Sequence, residues 1–177
     1  MSLNSHQLRK TQTAEAEVIS QNLKRQPFVL VLDNVLDTYN IGSFFRLADA
    51  VGAAKIYLCG PCLTPPNIKI HRASIGTWKF VPWERYESTV GCVQKLKQQN
   101  YSIVASEITP KSLPYNQVKY QLPLALIIGS EINGVSTDVL ELTDQIVKIP
   151  MFGINKSLNV LVAAGVILYH ILAQNTA

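Results

Sequence analysis

Leu124-Ala125-Leu126-Ile127-Ile128-Gly129-Ser130-Glu131-Ile132-Asn133-Gly134 is the stretch on which the fold turns. Five consecutive apolar residues are what a strand buried on both faces requires, because neither side meets water. The run stops at Gly129, and Gly134 closes a short loop in which Glu131 is the only carboxylate. Such a strand belongs to a parallel sheet covered by helices, so its flanks must supply more strands alternating with helices.

They do so in both directions. Upstream, Phe28-Val29-Leu30-Val31-Leu32 is a second unbroken apolar run. Residues 40–51 then predict a helix, with Asn40 as its N-cap and Gly52 as its stop. A strand over 55–59, a proline-rich loop, a helix over 89–100 and a strand over 101–105 follow. Downstream come a short helix over 137–142, a strand over 145–149 and an apolar helix opening at Ser157. Residues 5–25 carry a loose helical pattern that suits packing on the rest of the chain. The sequence thus predicts an α/β fold, a mostly parallel sheet with helices on both faces. Residues 1–26 form an N-terminal helical extension and 27–177 a single domain, a size that suits one buried core.

Composition narrows the classes. Hydrophobic residues make up 47% and charged residues 16%, as in a globular chain rather than a disordered one. The net charge of +4 is compatible with a phosphate-bearing partner without demanding one. Residues 158–172 are too short and too interrupted for a bilayer span and predict a buried helix, so no membrane partner is expected. The first residues lack the plan of a secretory signal, and Glu15 and Glu17 argue against a transit peptide. A cytoplasmic protein is expected. Cys59, Cys62 and Cys92 are an odd number, which speaks against a disulfide framework. Cys59-Gly-Pro-Cys62 has redox spacing, but Pro65 and Pro66 make the following segment a loop, not a helix that lowers a thiol pKa. No second ligand pair points to a metal.

Parallel sheets gather ligands beyond the carboxyl ends of their strands. The loops to search therefore follow Leu32, Ile128 and Ile149. In the first, free N–H groups at the helix start around Asn40 can face an anion, Gly42 admits close approach, and Arg46 lies one turn on. The second, Gly129 to Gly134, is neither a dinucleotide fingerprint nor a phosphate loop. The third reads Ile149-Pro150-Met151-Phe152-Gly153-Ile154-Asn155-Lys156-Ser157-Leu158-Asn159. Its backbone at 150–153 can hydrogen-bond a flat base between Met151 and Leu158. Ser157 also suits an N-cap, and the Asn159 amide, near the start of an apolar helix, needs partners.

In this order the three segments resemble the SpoU/TrmH family of RNA ribose 2′-O-methyltransferases. The motifs are Asn40-x-Gly42 with Arg46 four residues later, then Gly129-Ser130-Glu131-x-x-Gly134, then Ile149-Pro150-Met151 with Gly153 and Ser157-Leu158-Asn159. The likeness runs from about residue 28 to 172, departing at Phe44-Phe45 and at Leu161. It implies a C-terminal deep trefoil knot, a homodimer, and S-adenosylmethionine as cofactor. Ile128, Gly129, Ser130, Glu131, Ile149, Pro150, Met151, Ser157 and Leu158 would hold that cofactor. Arg46, Asn40, Glu131, Ser157 and Asn159 would form the catalytic side, acting on a structured RNA, tRNA before ribosomal RNA, without metal. Lys69, His71, Arg72 and Lys79 are candidates for the RNA path, against the simpler reading of ordinary surface charges. A non-catalytic RNA-binding module of the same fold and a small-molecule enzyme are the competing classes.

Overall fold

The computed structural model describes residues 2–175. Seven strands form one sheet: β1 (Gln26–Asp33), β2 (Ala53–Cys59), β3 (Trp83–Tyr86), β4 (Ser102–Ser106), β5 (Leu113–Pro114), β6 (Leu124–Gly129) and β7 (Gln145–Lys148). Their order is β3-β2-β1-β6-β4-β7-β5, and every pairing is parallel. The α-helices among the described residues are α1 (Ser5–Lys10), α2 (Thr13–Gln21), α3 (Thr38–Ala50), α4 (Ile68–Ser74), α5 (Thr89–Gln98), α6 (Thr137–Leu140) and α7 (Val160–Asn175).

The apolar run of β1 explains the layering, since successive side chains point to opposite faces. Phe28, Leu30 and Leu32 enter one core with Phe44 and Phe45 of α3 and Ile167, Leu168 and Ile171 of α7. Val29 and Val31 enter a second core with Cys92, Val93 and Leu96 of α5 and Val139 of α6. Each such buried side chain contributes roughly 1.5–3 kcal/mol relative to exposure. The late strands do not extend the sheet at its edges. β6 inserts between β1 and β4, and β7 between β4 and β5. That insertion aligns four carboxyl ends: Asp33 pairs with Gly129, Ser106 with Ile128, and Ser106 with Val147.

Several elements differ from expectation. The N-terminal pattern splits into two helices at Thr11 and Gln12, and both dock on the body. Lys79 Nζ donates to the carbonyls of Arg9 (3.1 Å) and Thr11 (2.6 Å), while the backbone of Leu8 lies against Gly76. Lys79 is therefore a clasp, and His71 accepts a 3.0 Å bond from Trp78 Nε1, which leaves only Lys69 and Arg72 of that basic group exposed. The proline-rich loop leads into α4, which Asn67 caps by accepting from the N–H groups of Lys69 and Ile70.

Helix α3 starts at Thr38, with Asp37 rather than Asn40 as its N-cap; Asp37 accepts from the Tyr39 N–H at 2.7 Å. A carboxylate thus already occupies the place where an anion was expected. Gly42 does not face a ligand either. A Cβ there would stand 2.7 Å from the Ile70 carbonyl and 2.6 Å from Ala73 Cβ, so this glycine exists to let α3 and α4 touch. Helix α7 begins at Val160, not Ser157, and is capped by Asn159, which accepts from the N–H groups of Leu161 and Val162. It is buried on one side only, since Val162, Val166 and Tyr169 are exposed.

The three thiols lie in the interior. A hydrogen bond with Cys92 and then burial push Cys59 well above the ordinary thiol range, and burial pushes Cys62 up to about 12. Cys59 and Cys62 are packing groups that stay protonated at neutral pH.

Candidate active site

The aligned ends of β4, β6 and β7 open into a cleft of about 310 Å³. Its walls include Ile128, Gly129, Ser130 and Glu131 from the end of β6, Ile149 and Met151 from beyond β7, and Ser157 and Leu158 from before α7. Eight of the nine residues expected to hold a cofactor therefore face one space; Pro150 is adjacent in sequence and half-buried but does not line it. The loop that roofs the cleft is closed by paired backbone bonds. Ser130 N donates to the Gly134 carbonyl at 3.1 Å, and Gly134 N to the Ser130 carbonyl at 3.0 Å. Gly129 is required because a Cβ would fall 2.0 Å from the Gly134 carbonyl carbon.

Glu107 belongs to none of the three motifs, and no local pattern marks it as part of the site. It follows β4, whose carboxyl end meets the same edge, and it also lines the cleft. Its carboxylate accepts from the N–H groups of Val135 (2.7 Å) and Ile108 (2.8 Å). A Cβ on Gly134 would stand 2.1 Å from Glu107 Oε2, so the glycine lets the carboxylate reach the roof. Behind this loop lies Asp33, fully buried at the end of β1. It accepts from Thr89 Oγ1 (2.6 Å), Ser136 N (2.8 Å), Ser136 Oγ (2.9 Å) and Asn34 Nδ2 (2.8 Å).

Three of the expected polar residues meet. Asn40 Nδ2 donates to Glu131 Oε1 at 2.7 Å, and Asn159 Nδ2 donates to Asn40 Oδ1 at 3.4 Å. This relay joins the first turn of α3 to the loops after β6 and β7 across 91 and 119 residues of sequence. Asn159 finds its partners in this relay and in the cap of α7, not in a buried setting, because it is exposed. Ser157 stands in the cleft wall, its N–H 3.5 Å from Asn155 Oδ1. Arg46 is not drawn into the relay. It is exposed on α3 and forms no hydrogen bond or ion pair among the described residues. A guanidinium is always charged and carries five donors, so its donors are all available to an incoming group. No cluster of three or more metal-type ligands occurs among the described residues.

The arrangement offers a half-apolar slot beside an amide–carboxylate relay. Such a slot can hold a flat heterocycle on Ile149, Met151 and Leu158 and direct a substituent toward the relay.

The sequence pattern of the SpoU rRNA Methylase family matches residues 27–169. The tRNA (guanosine(18)-2′-O)-methyltransferase of Aquifex aeolicus is 35% identical over 148 residues, which cover 82% of this chain and 69% of that protein. The 23S rRNA (guanosine-2′-O-)-methyltransferase of Vibrio parahaemolyticus is 34% identical over 151 residues, covering 85% of this chain and 61% of the relative. Among solved structures, the SpoU methyltransferase AviRb of Streptomyces viridochromogenes, in complex with its cofactor AdoMet, superposes with a TM-score of 0.79 at 27% identity. That superposition covers 90% of this chain and 65% of AviRb. The motif-bearing loops, the sheet that aligns them and these similarities agree, and the chain belongs to the SpoU rRNA Methylase family.

Proposed function

We propose that this chain transfers the methyl group of S-adenosylmethionine to a ribose 2′-hydroxyl of a structured RNA, tRNA in the first place and ribosomal RNA in the second. The observation that carries the proposal is the Asn159–Asn40–Glu131 relay at the mouth of a cleft lined by eight of the nine expected cofactor residues. The cleft suits the cofactor: its volume is at the lower end of small-molecule pockets, its wall is apolar at Ile149, Met151 and Leu158, and its rim is carboxylate-bearing. When bound, S-adenosylmethionine supplies an activated methyl group on a cationic sulfur. Backbone at Ile128 to Ser130, Ile149, Pro150 and Met151 holds it, with Leu158 and Ser157 closing the opposite wall.

The chain's own task is then alignment and charge stabilisation. Asn40 and Asn159 orient the ribose, and Glu131 fixes Asn40 by accepting its amide. Arg46, which forms no hydrogen bond or ion pair among the described residues, donates to the ribose oxygen or its neighbouring phosphate and stabilises alkoxide charge as the hydroxyl proton passes to an oxygen of that phosphate and on to water. Arg46 is not a free base, because its guanidinium cannot give up its proton at ordinary pH.

Four further features go with this proposal. Val162, Val166 and Tyr169 form an exposed apolar stripe on α7, and Phe152 and Ile154 beside it are 97% and 104% exposed. A second copy of the chain, forming a homodimer, covers such a surface. The extension over 1–26 and the domain over 27–177 divide the chain, with residues 1, 176 and 177 outside the described ones; the described part of the extension is clasped to the domain, and the last third of the described chain threads as a deep trefoil knot. The place of action is the cytoplasm, where the RNA is; no helix among the described residues is long and apolar enough to cross a membrane.

Methyl transfer from labelled S-adenosylmethionine into total RNA, fractionated into tRNA and ribosomal RNA, tests the proposal with Arg46→Ala as control. Label recovered in 2′-O-methylnucleosides of one fraction, and lost in the variant, is expected. No label in RNA from a strain lacking the protein, with the cofactor bound, would overturn it. Light scattering reads the dimer at about twice 19.6 kDa.

A further inference from the structure

A second cavity, of about 570 Å³, lies on the other side of the loop that roofs the cofactor cleft. Residues 130–134 form a wall common to both spaces, and Glu131 belongs to each. Leu36, Pro61 and Ile132 give the second cavity its apolar character, and Asp37 and Asn133 stand at its edge. Leu36 is 54% exposed and Ile132 84% exposed, an uncovered apolar surface next to a polar relay. We propose that this cavity receives the unstacked base of the nucleotide whose ribose is methylated; the assignment rests on the function proposed above.

Nucleotide geometry supports it. The base is attached at C1′, one bond from the carbon that bears the 2′-hydroxyl. A ribose held by Asn40 and Asn159, with its hydroxyl toward the cofactor cleft, must therefore set its base down within a few ångströms. The cofactor cleft takes the methyl donor, so the base needs the opposite side of Glu131. Single-stranded bases are recognised by stacking on flat or apolar side chains and by hydrogen bonds to their edges. Leu36, Pro61 and Ile132 supply the first. Asp37 supplies the second: one oxygen accepts from the Tyr39 N–H, and a carboxylate has further acceptor sites. With Asp37 accepting and the Asn133 amide able to donate, the edge favours a base that presents N–H donors beside a carbonyl, and guanine, with N1–H and N2–H₂ beside O6, fits it best.

Leucine and isoleucine methyl groups observed by NMR in the full-length chain test the pocket without requiring turnover. Guanosine, adenosine, cytidine and uridine 5′-monophosphates serve as probes. Ring-current shifts at the Leu36 and Ile132 methyls are expected, largest with the guanosine nucleotide. In the methyl-transfer assay Leu36→Ala is expected to lower kcat/KM for RNA about tenfold, the order of one lost base-stacking contact. The KM for S-adenosylmethionine and the oligomeric state stay unchanged, because Leu36 lies outside the cofactor cleft. Leu36→Met recovers most of the loss. Methyl groups silent to all four nucleotides, or transfer by Leu36→Ala within twofold of wild type, overturns the assignment. So does a changed oligomeric state in Leu36→Ala, which would make the cavity a subunit contact. If wild type transfers no methyl group to RNA while the two methyls still respond, the proposed reaction falls and the base pocket stands.

Discussion

Asp33 and Glu131 end or follow two neighbouring parallel strands, and the fold treats their carboxylates in opposite ways. Asp33 is fully buried and accepts four hydrogen bonds, from α5, from the entrance of α6 and from the adjacent Asn34. Glu131 is exposed and accepts one, from Asn40. A buried carboxylate must have its acceptor sites filled by the protein, since water cannot reach them. An exposed one with spare acceptor capacity is free to engage something that arrives later. The carboxylate in the most recognisable motif is thus the one the fold depends on least. The one that holds three loops together has no motif of its own.

The sharpest way to break this contrast is to remove each carboxylate in turn. Asp33→Ala leaves the Thr89 and Ser136 hydroxyls and the Ser136 N–H without their acceptor inside the protein. A loss of about 3 kcal/mol is expected in urea unfolding. A cost below 1 kcal/mol would mean that Asp33 is dispensable and the contrast false. Arg46→Ala probes the exposed side at its extreme, a charged group with no hydrogen bond or ion pair among the described residues. Its unfolding free energy should stay within about 0.5 kcal/mol of wild type, while methyl transfer falls about a hundredfold or more. Arg46→Lys separates charge from geometry, and near-normal turnover by it would remove the planar fork from the mechanism.

Glu131→Gln sharpens the comparison from the other side. The amide oxygen still accepts from Asn40, so stability should hold to within about 0.5 kcal/mol. The lost charge at the rim is expected to lower kcat/KM about tenfold, a smaller effect than at Arg46 because Glu131 acts by fixing Asn40. An equal fall in unfolding stability would place Glu131 with Asp33 instead.

The smallest effect belongs to His71, which lies between the two extremes, partly buried with one partner. Burial, and then the positive charges of Lys79 and Arg9, hold its pKa below the ordinary 6.5. The folded protein therefore keeps the neutral ring, whose Nδ1 accepts from Trp78 Nε1. Between the folded pKa and 6.5 the unfolded chain binds more protons, so the contribution is complete above 6.5 and is lost as pH falls through that window. His71→Gln should flatten the acid side of the stability profile. An unchanged slope would show that the Trp78 contact does not select the neutral ring.

Much of the architecture was legible because it depends on patterns carried by adjacent residues. Unbroken apolar runs marked β1 and β6, since a strand buried on both faces tolerates nothing polar within it. Helical spacing at Val93 and Leu96 marked α5 for the same local reason. What misled was choice among equals. Asp37 and Asn40 are both good caps, and nothing nearby decides between them. Glu131, 91 residues away, engages the Asn40 amide and leaves the cap to Asp37. Helix α4 was not visible behind two prolines, because a seven-residue helix owes its stability to packing, here against Gly42. Gly42 likewise read as ligand space, because a glycine admits close approach without saying what approaches.

The α/β class, the parallel sheet and the three loops that carry polar chemistry are all written locally along the chain. Hydrophobic periodicity and turn residues act over a few positions and can be read there. That Asn40, Glu131 and Asn159 share one relay, that Glu107 braces the roof of the cleft, and that Arg46 makes no hydrogen bond or ion pair among the described residues are outcomes of the folded arrangement. Those outcomes depend on β6 and β7 being inserted between strands laid down earlier, which sets loops far apart in sequence against one another. A hydrogen bond forms or fails within about half an ångström. Partners separated by 28, 91 or 119 residues are brought to that tolerance by packing of the whole sheet, and no local pattern records it.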